Sequence, residues 1–263
     1  MKIMKILLIV AGFFVLGLSV HAQETPSVDE IIDRTNKAAY YAGDDGRSKV
    51  MMTITDAQGR AREREFNILR HDVSDGGEQF FYVYFQKPSD VRKMAFLVHK
   101  HIDRDDDRWL YLPALDLVKR IAASDKRTSF VGSHFFYEDV SGRGVAEDSH
   151  EIVEVTDEYF VIKNIPKNPG NVEFASYTVW IDKNTYMPMK AEYVDKSGNK
   201  YREVEALEVM EIQGFPTVTK SRVRDLAEGG ETVSKFMDIE YNIGLDENIF
   251  TERYLRRPPR EAR

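Results

Sequence analysis

Ser133, His134, Glu138 and Asp139 fall within one sixteen-residue stretch, SFVGSHFFYEDVSGRG, that also carries four aromatic rings and three glycines. These are the side-chain types of a hydrolase triad. Acyl transfer from a nucleophile elbow needs G-x-S-x-G on a strand-to-helix turn of an α/β sheet. Here the run is Val131-Gly132-Ser133-His134-Phe135, with no second glycine and no α/β pattern around it. Triad members must also converge from separate elements, and neighbours along an extended chain point to opposite sides. The stretch therefore reads as structural, and no catalytic residue is assigned.

A second constellation is His99 and His101, two apart on an expected strand, ahead of the acidic run Asp103, Asp105, Asp106 and Asp107. Two histidines lack the third fixed ligand of a catalytic zinc site, and DRDDDR lacks the glycine and terminal glutamate of a calcium loop. A solvated acidic turn is the better reading, so neither a metal nor another cofactor is expected. With 44 acidic residues, pairing two carboxylates for glycosidase chemistry is uninformative. The chain is expected not to be an enzyme.

The elements that position these residues follow from pattern. MKIMK and the apolar run Ile6 to Val20, followed by Val20-His21-Ala22, have the layout of a secretory signal peptide over residues 1–22. That run is shorter than the roughly 20 residues a spanning helix needs. The absence of cysteine excludes a lipidated cysteine, disulfides and a thiol nucleophile. A periplasmic, unlipidated, monomeric protein is expected, with residues 23–263 forming one domain. Formal net charge is −7, and loss of Lys2 and Lys5 takes it to −9, which disfavours nucleic acid as a partner. The basic end RRPPREAR, from about residue 256, is expected to be a flexible tail.

Ser27 and Glu30 form a capping box ahead of Val28, Ile31, Ile32, Thr35 and Ala39 on one helical face, and Gly43 ends the run. From there the period changes to two. Strands are expected near 48–55, 61–70, 79–86, 94–101, 108–112, 116–121, 151–155, 159–163, 173–181, 187–194, 201–211, 217–225 and 232–241, with turns such as DAQG, DKSGN and AEGG between them. A further helix fits 246–254. So many strands in a curled antiparallel sheet, with only two helices to cover it, leave an unfilled apolar interior. Phe81, Val83 and Phe85 in FFYVYF, Trp109 and Tyr111 in WLYLP, Trp180 in YTVWI, and Phe130, Phe135 and Phe136 in the opening stretch are candidates to line it.

The run DDDRWLYLPALDLVKRI followed by SFVGSHFFYED resembles the LolA-like outer-membrane lipoprotein-sorting protein family. The positions that carry the likeness are Trp109, Tyr111, Pro113, Arg120, Ile121, Phe130, Gly132, Phe135, Tyr137, Glu138 and Asp139, with YTVWID and FTERYL agreeing further on, over roughly residues 27–255. His134 stands where the family's loop usually has Asp, and Phe136 where a small hydroxyl residue is common, as if stacking replaced a polar contact. The resemblance implies a mainly β fold with few helices: a single curled sheet forming a half-open β-barrel, its concave face covered by helices and holding acyl chains. It implies a periplasmic carrier of lipid or lipoprotein acyl chains to or from the outer membrane, working with an inner-membrane transporter and an outer-membrane acceptor. The alternative is a non-enzymatic accessory protein of an exporter of the resistance-nodulation-division type. Gly132, Ser133, His134, Tyr137, Glu138 and Asp139 would form a loop or gate, anchored against Arg120. The segment 122–147 would be the lid or wall of the cavity.

Overall fold

The computed structural model describes residues 25–263, so the expected leader over 1–22 lies outside the described residues. Helix α1 spans Val28–Tyr40. The Ser27 hydroxyl accepts from the Glu30 N–H at 3.2 Å, as the capping pattern requires. At the other end the guanidinium of Arg70 donates to the carbonyls of Tyr40, Ala42 and Gly43, each at 2.6 Å, filling acceptors that a helix terminus leaves open.

Thirteen strands follow: β1 Asp45–Asp56, β2 Ala61–Asp72, β3 Gln79–Lys87, β4 Ala95–Lys100, β5 Asp107–Leu112, β6 Leu117–Ile121, β7 Asp148–Val155, β8 Tyr159–Pro166, β9 Phe174–Asp182, β10 Pro188–Asp195, β11 Lys200–Ile212, β12 Phe215–Asp225 and β13 Gly230–Tyr241. Every expected strand is present. They form one sheet in the order β6-β5-β4-β3-β2-β1-β13-β12-β11-β10-β9-β8-β7, antiparallel throughout. The chain enters at the centre of the sheet and meanders to the β6 edge. Residues 122–147 then carry it to the β7 edge, from which it meanders back until β13 pairs with β1. Because β6 and β7 do not pair, the curled sheet stays open, a mainly β half-barrel.

Both faces of the first half of the sheet are apolar. On the concave face Val50, Met52, Phe66, Phe81, Val83, Phe85, Phe96 and Leu110 form one cluster with Phe130 and Tyr137 from the crossing segment. On the convex face Leu69, Tyr82, Ala95 and Leu97 meet Leu245, Ile249, Phe250 and Leu255 from the C-terminal segment. A fully buried side chain of this size contributes about 1.5–3 kcal/mol, so each face needs its own cover.

The expected helix over 246–254 resolves into a 3₁₀ turn at Glu247–Ile249, capped by Asp246, and helix α3 at Glu252–Arg256. It lies on the convex face, not the concave one, because β2–β5 present that second apolar surface. Helix α2, Tyr137–Ser141, sits in the crossing segment, where no helix was expected. The tail departs from expectation as well. Ala262 is fully buried, its carbonyl accepts from Asn67, and Arg256 pairs with Asp116 at 3.0 Å, so the end packs on the sheet.

Candidate ligand cavity

Helix α1 and the segment 122–147 both cross the concave face without filling it. Between them and the sheet lies a cavity of about 530 Å³. α1 contributes Ile32, Thr35, Ala38 and Ala39 to its lining; β1–β3 contribute Val50, Ile68, Phe81 and Val83; β9–β13 contribute Val179, Ile181, Ala191, Val204, Ala206 and Phe236. The size falls within the range of small-molecule sites. Small residues make the space. Gly46, Ala191, Ala206, Ser221 and Ser234 all line it, and each adds little or no side-chain volume.

One wall is the segment 122–147. Phe130 lies 5.8 Å from Phe85, 5.5 Å from Phe96 and 5.6 Å from Tyr137, ring centre to ring centre, and tilted and edge contacts of this kind add to area burial. Beside it, Glu138 is buried and receives Arg127 at 2.6 Å, Lys126 at 3.1 Å and Arg143 at 3.3 Å. Burial alone would push its carboxyl up, but the three cations outweigh that and hold it at about 2. Arg143 continues to Asp148 at 2.8 Å, which also accepts from Tyr177 at 2.7 Å, and Arg127 continues to Glu173 at 2.7 Å. The segment is thereby tied to β7 and β9.

Asp139 accepts from the Phe136 N–H at 2.7 Å and pairs with Arg202. The Phe136 ring is clasped by the guanidinium groups of Arg202 at 4.4 Å and Arg127 at 4.9 Å, a pair of cation–π contacts that helps hold the segment in place. Gly142 shows why the glycines matter. It has φ +76°, and a Cβ there would lie 2.4 Å from the Tyr40 ring of α1.

Of the residues singled out in sequence, Phe81, Val83, Phe130, Phe135, Glu138 and Asp139 line the cavity. Phe85 shares the concave face but is sealed beneath Phe66 and Phe130. Tyr137 is likewise part of the packed cluster. Trp109 and Tyr111 point the other way: they pair with Leu97 and Ala95 and join the convex cluster, while Leu110 between them faces inward. Trp180 is also on the convex side, where Lys190 sits over its ring at 5.2 Å. The anchor assigned to Arg120 is corrected too, since Arg120 pairs with Asp107 and leaves Glu138 and Asp139 to other cations.

Ser133 and His134 do not meet. The Ser133 hydroxyl donates to the Phe130 carbonyl at 2.7 Å, whereas the His134 ring and N–H contact the Thr232 hydroxyl at 2.8 and 3.0 Å. Burial holds the His134 imidazole below its ordinary pKa. Gly132 takes φ +76° in the turn between them and Phe130. His99 hydrogen-bonds the Phe250 carbonyl at 2.7 Å, and His101 lies between Glu78 and Asp107. Among the described residues no group of three His, Cys, Asp or Glu side chains is placed to hold a metal ion.

Sequence reasoning missed the lining from α1 and β9–β13. It searched for aromatic residues, while the usable signal was the opposite one, small side chains on inward positions.

A family model described as an uncharacterized protein matches residues 77–257. The chain belongs to that family. A DUF1329 family protein from Desulfovibrio piger is 27% identical with a TM-score of 0.80, over 88% of this chain and 100% of that one. A Vibrio parahaemolyticus domain named for outer membrane lipoprotein sorting is 29% identical with a TM-score of 0.78, over 86% and 97%. A LolA superfamily protein from Nitrosomonas europaea, 18% identical with a TM-score of 0.68, shares the fold over 88% and 100%. No curated protein matches. The half-barrel of this chain, open between β6 and β7, thus shares the fold of that LolA superfamily protein.

Proposed function

We propose that this protein is a periplasmic carrier that binds lipid or lipoprotein acyl chains in the cavity beneath α1 and performs no covalent chemistry. The observation that supports this reading most strongly is a half-filled barrel: about 530 Å³ of mainly apolar space kept open by small inward residues. Each buried CH₂ gives about 0.8 kcal/mol, so one long chain gains on the order of 10 kcal/mol, enough to draw it from water yet within reach of release. Phe81, Val83, Phe130 and Phe135 would contact the chain. In this reading the segment 122–147 is a fixed wall, because its buried ion network costs too much to open on each cycle. The lipoprotein-sorting name of the Vibrio parahaemolyticus relative is consistent with cargo of this class.

The test is a titration of delipidated protein with a fluorescent fatty-acyl probe, together with native mass spectrometry of protein purified without detergent. Saturable uptake at one site and co-purified lipid are expected. Folded protein that takes up no probe and carries no lipid, but captures an exporter, would replace the carrier by the accessory-protein reading.

A further inference from the structure

Antiparallel pairing puts the β1–β2, β3–β4 and β5–β6 turns at one end of the sheet, and the β2–β3 and β4–β5 turns at the other. The two ends differ in charge. The second carries Asp75, Glu78, Asp103, Asp105 and Asp106 with Arg104 among them, whereas the first carries Arg60, Arg62, Lys87, Arg92, Lys93 and Lys119 against Asp56, Glu63, Asp90 and Asp116, with Arg256 and Arg257 brought alongside by the docked tail. In a chain of net charge −7 this segregation is the more marked. Among the described residues most cations are paired with a carboxylate, and Arg62, Arg92, Lys93, Lys119 and Arg257 take part in no ion pair, as is also true of scattered cations elsewhere such as Lys163, Lys196 and Lys220. All five are exposed.

Within that end the β5–β6 turn presents Leu115, 71% exposed, and Leu117, 46% exposed. Asp116 between them has φ +45° and is clamped through its carboxylate and carbonyl by Arg256 at 3.0 and 3.2 Å. The tip is therefore held in shape, with its leucines directed outward. Because Ala95 pairs with Tyr111, the β3–β4 turn bearing Arg92 and Lys93 lies next to it.

We propose that this end is a docking surface for an anionic lipid bilayer, with Leu115 and Leu117 entering the interface and the unpaired cations meeting the headgroups. Free cations around a small apolar tip suit such a surface: each Lys or Arg near it adds attraction that salt screens, and the leucines add a part that salt does not. A protein partner would more commonly supply carboxylates for individual cations within a larger apolar contact. The proposal does not depend on the cargo, and a chain that binds no acyl probe could still dock in this way.

The experiment is co-sedimentation of the mature full chain with phosphatidylcholine vesicles, with and without about 30% phosphatidylglycerol, at low and high salt. Binding only to the anionic vesicles, weakened by salt, is expected. Arg92→Ser/Arg257→Ser should lower the partition coefficient about tenfold or more. Leu115→Ser should lower it severalfold, at high salt as well. The control Lys220→Ser/Lys235→Ser, which removes two exposed cations paired across β12 and β13 on another part of the sheet, should change it by less than twofold. Circular dichroism and thermal unfolding establish that each variant is folded. No binding to anionic vesicles, an equal loss in the lysine control, or binding only to vesicles containing a membrane protein would each overturn the proposal, the last in favour of a protein partner.

Discussion

On β2–β5 packed side chains cover most of the sheet on both sides, Phe130 and Tyr137 inside and Phe250 and Leu255 outside, whereas β9–β13, beyond the inward packing of Ile181 on Ile31 and of Phe174 on Tyr193, border the larger share of the open space and look outward onto a ladder of ion pairs. That ladder runs from Lys190 and Glu192 through Glu203 and Arg224 to Glu205 and Arg222. One sheet thus contains a solid half and a hollow half. The contrast separates two demands on a carrier, since the solid half can supply stability while the hollow half forgoes some of it to keep room for a ligand.

Substitutions sharpen that contrast, beginning in the solid half. Phe96 is fully buried against Phe130 and Tyr137, and Phe96→Ala should cost about 3–5 kcal/mol in urea or thermal unfolding. A loss below about 1 kcal/mol would mean that this half is not the packed core. Glu138→Gln should cost about 3 kcal/mol, because it leaves Arg127, Lys126 and Arg143 without their shared buried carboxylate. The same pairing fixes a pH dependence. Glu138 titrates at about 2 in the fold and near its ordinary 4.5 when unfolded. Its contribution is present above pH 4.5 and is lost as pH falls toward 2. Chemical denaturation between pH 5 and pH 2.5 should show a steeper loss for wild type than for Glu138→Gln, and parallel curves would rule out that role.

In the hollow half the expected effects on stability are smaller. Ala206→Phe projects into free space and should change unfolding free energy by less than about 1 kcal/mol, where the same enlargement in a filled core costs about 1–3 kcal/mol. Smallest in its effect on uptake is Trp180→Ala, which removes a half-buried convex ring under Lys190 and beside Val161 and should leave acyl uptake unchanged. A marked loss of uptake in that variant would place ligand on the outer face.

The strands were legible because their alternation and turn residues are local. Asp56, for example, caps its own turn by accepting from the N–H groups of Gln58 and Arg60, at 3.0 Å each. Which face of a strand turns inward was not legible where both faces are apolar. Trp109, Leu110 and Tyr111 look alike in sequence, and only the register against Leu97 and the cover from the C-terminal segment decide that Leu110 faces the interior. Nor could charge near charge identify partners. Glu138 draws its cations from Lys126, Arg127 and Arg143 within its own segment, while Arg120 turns to Asp107. The docked tail was hidden for a similar reason, since the fit of Ala262 to the sheet depends on contacts far away in sequence.

The central claim is that the space beneath α1 is where an acyl chain resides. Its most direct test is uptake of a fluorescent fatty-acyl probe by delipidated wild type and by Ala206→Phe, measured side by side on proteins of matched stability. Saturable uptake by wild type, weakened tenfold or more in the filled variant, is the predicted result; undiminished uptake with the cavity blocked would contradict it.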